Sequence, residues 1–380
     1  MTTFSSIVPA SRLRLAVLFG GRSGEHEVSL VSAKSVLAVL DAARYAVYEV
    51  GITHDGVWLT GERVRERLEQ GQTDNLLPCT ILPDPTRPGL YLLRQQKGQT
   101  TLEKLTDLDV VFPVLHGTYG EDGTLQGLLE LADLAYVGAG VTGSALGMDK
   151  GIFKDVMRAN GIPVVESIVV LRTDIEHDLE RVIRRAEALA DYPLFVKPAN
   201  LGSSVGITKC HHRHDLVEGL QEAARYDRRV LVERGVSARE IEVSVLGNDQ
   251  PLASVPGEIL PSREFYSYEA KYLDGTSGLV IPANLPAEIS DTVRTLAVAA
   301  YRAIDCAGMA RVDFFVENES GQVYLNEINT IPGFTAISMY PKLWEASGLS
   351  YGQLVERLIE LALERKAERD RTERRFRRTA

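Results

Sequence analysis

The stretch RLRLAVLFGG at residues 12–21 is a short apolar run that ends in two glycines. Residues 26–41, HEVSLVSAKSVLAVLD, follow with helical spacing of Val28, Val31, Val36, Val39 and Leu40, and YAVYEVGI at 45–52 is again β-rich. Strand, glycine turn, helix and strand make a βαβ unit, and a short right-handed crossover of this kind builds a parallel sheet. The chain therefore opens as an α/β protein.

At 380 residues the chain has room for two or three domains of ~100–200 residues each. No apolar run approaches the ~18 residues that span a bilayer. The apolar stretch after Arg14 is too short and wrongly flanked for a secretory signal. Cys79, Cys210 and Cys306 are scattered and odd in number, which argues against a disulfide framework or a zinc site and points to the reducing cytoplasm. A net charge of −10 disfavours a general nucleic-acid binder. The basic end RKAERDRTERRFRRTA reads as a solvated, frayed helix end, with contact to RNA or an acidic surface as the alternative.

Further along, 53–105 is less regular, and PDPTRPGL at 83–90 marks it as an elaborated surface segment. LDVVFPVLHG at 108–117 is another buried strand. A helix and short strand fill 123–140, and 144–162 contains a helix stopped by Gly161 before Pro163. Helices are expected at 177–192, 214–227, 287–306 and 350–370. Strands are expected at 193–210 on either side of a glycine-rich loop, at 228–236, and as a hairpin over 240–260 turning near Gly247.

A second hairpin carries the chemistry. MARVDFFVENESGQVYLNEIN at 309–329 is two strands around a turn centred near Ser320, which sets Asp313 opposite Glu327 and Arg311 opposite Asn329. Glu327 and Asn329 share a face although Val323, Leu325 and Ile328 look buried. Two facing carboxylates repel unless a proton or a cation lies between them. A lone acidic pair reads as a polar edge; Asn329 on the same face and Arg311 facing it favour hard-oxygen ligation of Mg²⁺. Arg311 then reads as a cation aimed at a transferred phosphoryl group.

The chain has no GxxxxGK[ST] motif, and GGRSGE at 20–25 is not GxGxxG. The loop NLGSSVG at 200–206 instead sets Ser203 and Ser204 between Gly202 and Gly206, where backbone N–H groups and hydroxyls can cover phosphates. A plain hairpin turn looks alike. Lys197 ends the strand before it, and Lys150 opens a helix, where a solvated surface lysine is the plainer reading.

Taken together, GGRSGEHEVSL (20–30), LHGTYGEDGTLQG (115–127), MDK (148–150), FVKPANLGSSVG (195–206), YEAKY (268–272), GMARVDFF (308–315) and NEINTIPGFT (326–335) closely resemble the D-alanine–D-alanine ligases of the ATP-grasp superfamily. The resemblance runs from about residue 12 to 364. It implies a three-domain ATP-grasp fold, α/β with an α+β ATP-binding part: an N-terminal parallel-sheet domain to 138, a central domain over 139–232 and a C-terminal domain over 233–364. The basic tail 365–380 lies outside it.

The resemblance also implies an activity: ATP-dependent joining of two D-alanine molecules through a D-alanyl phosphate, for peptidoglycan precursors. It implies two Mg²⁺ ions on Asp313, Glu327 and Asn329, with Mn²⁺ as a substitute, room for a monovalent cation, and a homodimer. Lys150 and Lys197 match the phosphate-binding lysines. Glu233, Gly235 and Val236 lie in the adenine segment, and Glu240 matches the ribose acid. Glu25 matches the acid near the first D-alanine's ammonium, and His116 the residue near its carboxylate. Ser203 and Tyr272 match the pair bonded to Glu25. Lys271 and Ser338 match contacts to the second carboxylate, and the Gly333 amide an oxyanion donor. The nearest rivals join D-alanine to D-lactate or D-serine, but Lys271 and Tyr272 favour the dipeptide. A non-catalytic nucleotide-binding relative is the rival of another class.

Overall fold

The computed structural model describes residues 12–202, 205–260 and 278–374. The opening unit is as read: β1 (Leu13–Gly20), α1 (His26–Val39) and β2 (Tyr45–Ile52), with β1 and β2 parallel from Leu13 opposite Tyr45 to Gly20 opposite Ile52. Leu15 to Phe19 are wholly buried, as expected of a parallel strand covered on both faces. Gly20 has φ +88°, and a Cβ there would lie 2.2 Å from the Ile52 carbonyl oxygen, so the turn into α1 needs glycine.

The stretch read as irregular is in fact ordered. β3 (Trp58–Thr60), α2 (Val64–Glu69), β4 (Leu77–Ile81), β5 (Leu90–Gln96) and β6 (Gln99–Thr106) continue the sheet with antiparallel pairings. Proline and glycine made the segment look like loop, but they sit in the β4–β5 turn. β7 (Val110–Pro113), α3 (Thr124–Leu131) and β8 (Ala135–Tyr136) complete the other flank with parallel pairing. The first sheet is thus mixed, in the order β6-β5-β4-β3-β2-β1-β7-β8.

The expected helix within 144–162 is two helices, α4 (Val141–Met148) and α5 (Lys150–Ala159). Asp149 separates them, and its carboxylate accepts the N–H groups of Gly151 and Ile152, so α5 starts afresh at Lys150. There follow β9 (Ser167–Leu171), α6 (Arg172–His177), α7 (Leu179–Glu187), β10 (Leu194–Pro198), β11 (Thr208–Cys210), α8 (Arg213–Tyr226) and β12 (Arg229–Arg234). Their strands form a four-stranded antiparallel sheet, β11-β10-β12-β9.

The last sheet comprises β13 (Ala238–Gly247), β14 (Leu252–Ala253), β15 (Gly257–Leu260), β16 (Gly278–Val280), β17 (Gly308–Glu317) and β18 (Val323–Asn329). Its order is β16-β15-β13-β17-β18, with β14 beside β13. Helix α9 (Ala287–Ala303) covers one face, and Ile241, Val243, Val245, Val312 and Phe314 point into that core. The opposite face looks onto a cleft. Helices α10 (Met339–Ala346) and α11 (Tyr351–Asp370) follow.

Helix α11 returns to the first sheet. Leu354, Val355, Leu358 and Ile359 join one core with Leu15, Val17, Phe19 and Phe112, each buried side chain contributing roughly 1.5–3 kcal/mol. The basic end is consequently not a solvated tail as far as residue 370. Arg365 lies over the Tyr136 ring, 4.2 Å from its centroid, and donates to the Gly138 carbonyl at 2.6 Å. Arg369 pairs with Glu130 and Asp133, and Lys366 with Asp133.

Candidate functional site

A cleft of about 1530 Å³ is bordered by the second and last sheets and, from the first unit, by the start of α1 and the loop after β7. One wall is the polar face of the last sheet. Along β13, Ile241, Val243 and Val245 are core, so Glu240 and Glu242 face the cleft, while Ser244 on the same face is buried and donates to the Tyr340 carbonyl. Asp313 on β17 stands between Glu242 and Glu327, and Arg311 between Ser244 and Asn329. The two pairings expected from the sequence, Asp313 with Glu327 and Arg311 with Asn329, are the observed ones, but nearer the turn the ladder is shifted by one residue.

A bulge explains the odd pattern of VYLNEIN. Phe314 pairs with Leu325, whereas Asp313 pairs with Glu327, so Asn326 is an extra residue in β18. Without it Glu327 and Asn329 would follow Val323 and Leu325 into the core. With it they turn to the cleft, and Ile328 takes the core position at 3% exposure.

Charges are held tightly along this wall. Arg311 donates to both Asp313 oxygens at 2.7 and 2.6 Å and lies 2.9 Å from Glu242 Oε2. Burial opposes the Arg311 cation, yet Asp313 and Glu242 hold its pKa well above the usual value. The Asn329 amide donates to Asp313 Oδ2 at 3.0 Å, and Lys150 Nζ lies 3.5 Å from Glu327 Oε2. Asp313, Glu327 and the Asn329 carbonyl form a hard-oxygen donor set that suits Mg²⁺ or Mn²⁺. Ligation would require Asn329 to present its oxygen. Among the described residues no third His, Cys, Asp or Glu closes on this pair in metal-binding geometry, so phosphate oxygens and water would complete the shell.

The lysines come from α5, which packs on the core of the last sheet, and from β10 of the four-stranded sheet. Lys150, at the start of α5, donates to the Leu201 carbonyl at 2.8 Å, at the root of the glycine-rich loop. Lys197, at the end of β10, lies 2.5 Å from Glu233 Oε2. Lys154 pairs with the other oxygen of Glu233, and neither side chain is more than 2% exposed. Burial would raise the Glu233 carboxyl, but the two ammonium groups bring it down to about 2. Burial lowers Lys154 on balance, whereas Glu233 keeps Lys197 above its ordinary value. Beyond them, the Gly235 amide donates to the Pro193 carbonyl at 2.9 Å. A Cβ on Gly235 would lie 2.5 Å from that oxygen, so the strand exit needs glycine. Gly235, Val236 and Glu240 all border the cleft.

The third wall comes from the first unit, at the start of α1 and the loop after β7. Ser23 donates to the His116 carbonyl at 2.7 Å and accepts the Glu25 N–H, tying the start of α1 to the end of β7. Glu25 is 8% exposed and abuts two glycines. A Cβ would stand 2.6 Å from its Oε2 at Gly117 and 2.9 Å at Gly202. His116 Nδ1 lies 2.9 Å from the Ile331 carbonyl and must donate to it, so a neutral ring accepts the Ser32 hydroxyl at Nε2, 3.1 Å away. Burial lowers the His116 pKa and favours that neutral form.

Gly333 and Ser338 sit together at the floor: a Cβ on Gly333 would lie 3.2 Å from Ser338 Oγ, which accepts the Thr335 N–H at 3.1 Å. No described residue accepts the Gly333 N–H. Ser203, Ser204, Lys271 and Tyr272 lie outside the described residues.

Three residues escaped the sequence reading. Glu242 was signalled by the alternation of Glu240 and Glu242 with Ile241 and Val243, and Lys154 by its place one helical turn after Lys150. Glu121 lies within LHGTYGEDG and accepts the N–H groups of Gly117 at 2.8 Å and Ile331 at 3.3 Å. Burial and the neighbouring Glu25 push its carboxyl up to about 8. The cysteines are all buried free thiols, each raised by burial to about 12, which suits no nucleophilic role.

Comparison with known proteins agrees with this geometry. Residues 14–139 match the family described as D-ala D-ala ligase N-terminus, and 156–360 match D-ala D-ala ligase C-terminus. The chain is 50% identical over 361 residues to the D-alanine–D-alanine ligase of Natranaerobius thermophilus, covering 95% of this chain and 97% of that protein. It is 53% identical over 356 residues to the Thermoanaerobacter pseudethanolicus ligase, covering 92% and 96%. Among solved structures it resembles the D-alanine–D-alanine ligase from Coxiella burnetii, with TM-score 0.78, 39% identity, and 95% and 97% coverage. The VanG D-Ala:D-Ser ligase from Enterococcus faecalis gives TM-score 0.82 and 35% identity, with 93% and 100% coverage. The architecture is thus the ATP-grasp fold. With both family segments in order and about half the residues shared across nearly the whole length, the chain belongs to the D-alanine–D-alanine ligase family.

Proposed function

We propose that the chain uses ATP to join two D-alanine molecules into D-alanyl-D-alanine, a peptidoglycan precursor. One observation carries this reading: the Asp313–Glu327–Asn329–Arg311 face, Lys150 and Lys197, and the Glu25–His116 wall all open on one cleft. It is a site that can hold a triphosphate against an amino acid.

A carboxylate is a poor acyl donor. The first D-alanine, its ammonium near Glu25 and its carboxylate on the His116 side, attacks the γ-phosphate and gives D-alanyl phosphate and ADP. Lys150 and Lys197 hold the phosphates, and Arg311 offsets charge on the phosphoryl group in flight. Mg²⁺ or Mn²⁺ held by Asp313, Glu327 and Asn329 would neutralise phosphate charge as a Lewis acid. The second D-alanine, its carboxylate near Lys271 and Ser338, attacks the acyl carbon through its neutral amine. The Gly333 N–H and Arg311 stabilise the oxyanion, and phosphate leaves. Ser203 and Tyr272 organise Glu25, Ser204 covers phosphate, and Glu233, Gly235, Val236 and Glu240 bind the nucleoside.

The domain limits proposed are 1–138, 139–232, 233–364 and a basic end from 365. We take the protein to act in the cytoplasm as a homodimer, without nucleic acid or membrane, and with a monovalent cation as an added requirement to be tested. In support, the net charge is −10, and among the described residues no helix is long and apolar enough to cross a membrane. Light scattering tests the dimer.

The likeness to a D-Ala:D-Ser ligase makes D-serine the alternative acceptor. The test is ADP release with MgATP and D-alanine, with D-serine and D-lactate added in parallel and products identified by mass. D-alanyl-D-alanine as the main product supports the reading. A mainly mixed product would overturn the acceptor assignment, and ATP binding without ADP release would favour a non-catalytic binder.

A further inference from the structure

Glu233 is gripped from both sides. Its Oε2 meets Lys197, which borders the cleft, and its Oε1 meets Lys154, which does not border the cleft and is 1% exposed. Lys154 therefore does not reach a nucleotide in that cleft, and its direct contact with the site is through Glu233. The three groups carry one negative and two positive charges in a site shut from water, where such charges act strongly on one another.

Consider the same site without Lys154. Glu233 would be a buried carboxylate with Lys197 as its adjacent cation, and a buried charge holds hard to its last partner. Lys197 would then be committed to a neutral pair. With Lys154 present, Glu233 is shared, and the triad keeps a net positive charge. Lys197 has three N–H donors, of which the carboxylate oxygen takes one, leaving the others to turn toward the cleft.

We propose that Lys154 is a positioning residue for nucleotide binding: by taking half of the Glu233 carboxylate, it leaves the Lys197 ammonium available to the ATP phosphates. The low Glu233 pKa is consistent with two cations sharing one anion. This inference rests on the ATP-dependent reading of the cleft, but it concerns binding alone and does not require turnover.

The test is a double-mutant cycle read by calorimetry, titrating MgATP into the full chain without D-alanine. Lys154→Met should weaken ATP binding at least tenfold in the wild-type background and less than twofold in a Glu233→Gln background, where no carboxylate competes for Lys197. Kinetics add a second readout: KM for ATP should rise with Lys154→Met while KM for D-alanine stays within twofold. An equal loss in both backgrounds, or none in either, would overturn the proposal. If Lys154→Met alone does not fold, Lys154→Gln, which removes the charge but keeps a donor to Glu233, takes its place in both backgrounds, and the same pair of outcomes decides. Wild-type chain that binds ATP but releases no ADP with D-alanine would sink the ligase reading and leave this inference standing; wild type that binds no ATP would sink both.

Discussion

Asp313 and Glu327 stand directly opposite each other on adjacent antiparallel strands, and the extra residue Asn326 is what turns Glu327 toward the cleft. In the proposed mechanism this pair is the centre of the metal's donor set. Glu327→Gln removes one anionic ligand while keeping size and shape. The Mg²⁺ concentration giving half-maximal ADP release should rise at least about tenfold. An unchanged metal titration would remove Glu327 from the ligand set.

Arg311 is ion-paired with Asp313 and Glu242, and the proposed mechanism also gives it a part in the reaction. Arg311→Met should lower kcat by roughly two to three orders of magnitude, the scale of losing one charge-stabilising donor. ATP affinity should change only a few-fold, since Lys150 and Lys197 remain. Stability should also fall by about 3 kcal/mol, because Asp313 and Glu242 lose their cation; denaturant melts and calorimetry on the same sample separate the two effects.

Glu121 predicts a pH-dependent stability difference. Its folded pKa, about 8, is above the ordinary carboxyl value of 4.5. Between those values the folded chain keeps a proton that the unfolded chain releases, so this contribution to stability is full below about 4.5 and is lost as pH rises toward 8. Glu121→Gln abolishes the titration. The melting temperature of the variant minus that of wild type should therefore increase steadily from pH 5 to 8. A difference independent of pH would contradict the assignment.

The end of α11 clasps the first sheet through Arg365 on Tyr136 and Arg369 on Glu130 and Asp133. Exchanging both arginines for alanine should cost about 1–3 kcal/mol, from one cation–π contact and a partly exposed ion-pair network. The loss should shrink in high salt, because partly exposed pairs are screened. KM values for ATP and D-alanine should hold, as neither arginine borders the cleft. A change in KM without loss of stability would assign these residues to the site instead.

Much of the site was legible because its spacing is local. The βαβ unit follows from RLRLAVLFGG and the helix behind it, and the pairing of Asp313 with Glu327 follows from a turn near Ser320. What sequence could not show was tertiary. Strands β3 and β4 are short and PDPTRPGL interrupts the run before β5, so the order of β3 to β6 comes from successive antiparallel pairing outward from β2. The basic charges at 365–369 look solvated until α11 is laid against Glu130 and Asp133. Lys154 looked like any helix lysine, because its partner Glu233 lies 79 positions away in the sequence of β12. The Asn326 bulge left a trace in the broken alternation of VYLNEIN, visible but not interpretable until the ladder was known.

The most direct test of the account follows the carboxylate oxygen. D-alanine labelled with heavy oxygen in its carboxylate is turned over with MgATP, and the released inorganic phosphate is analysed by mass. Attack of that carboxylate on the γ-phosphate predicts one labelled oxygen in each phosphate, together with ADP and D-alanyl-D-alanine. Label in AMP, or unlabelled phosphate alongside dipeptide, would contradict activation of D-alanine as an acyl phosphate in this cleft.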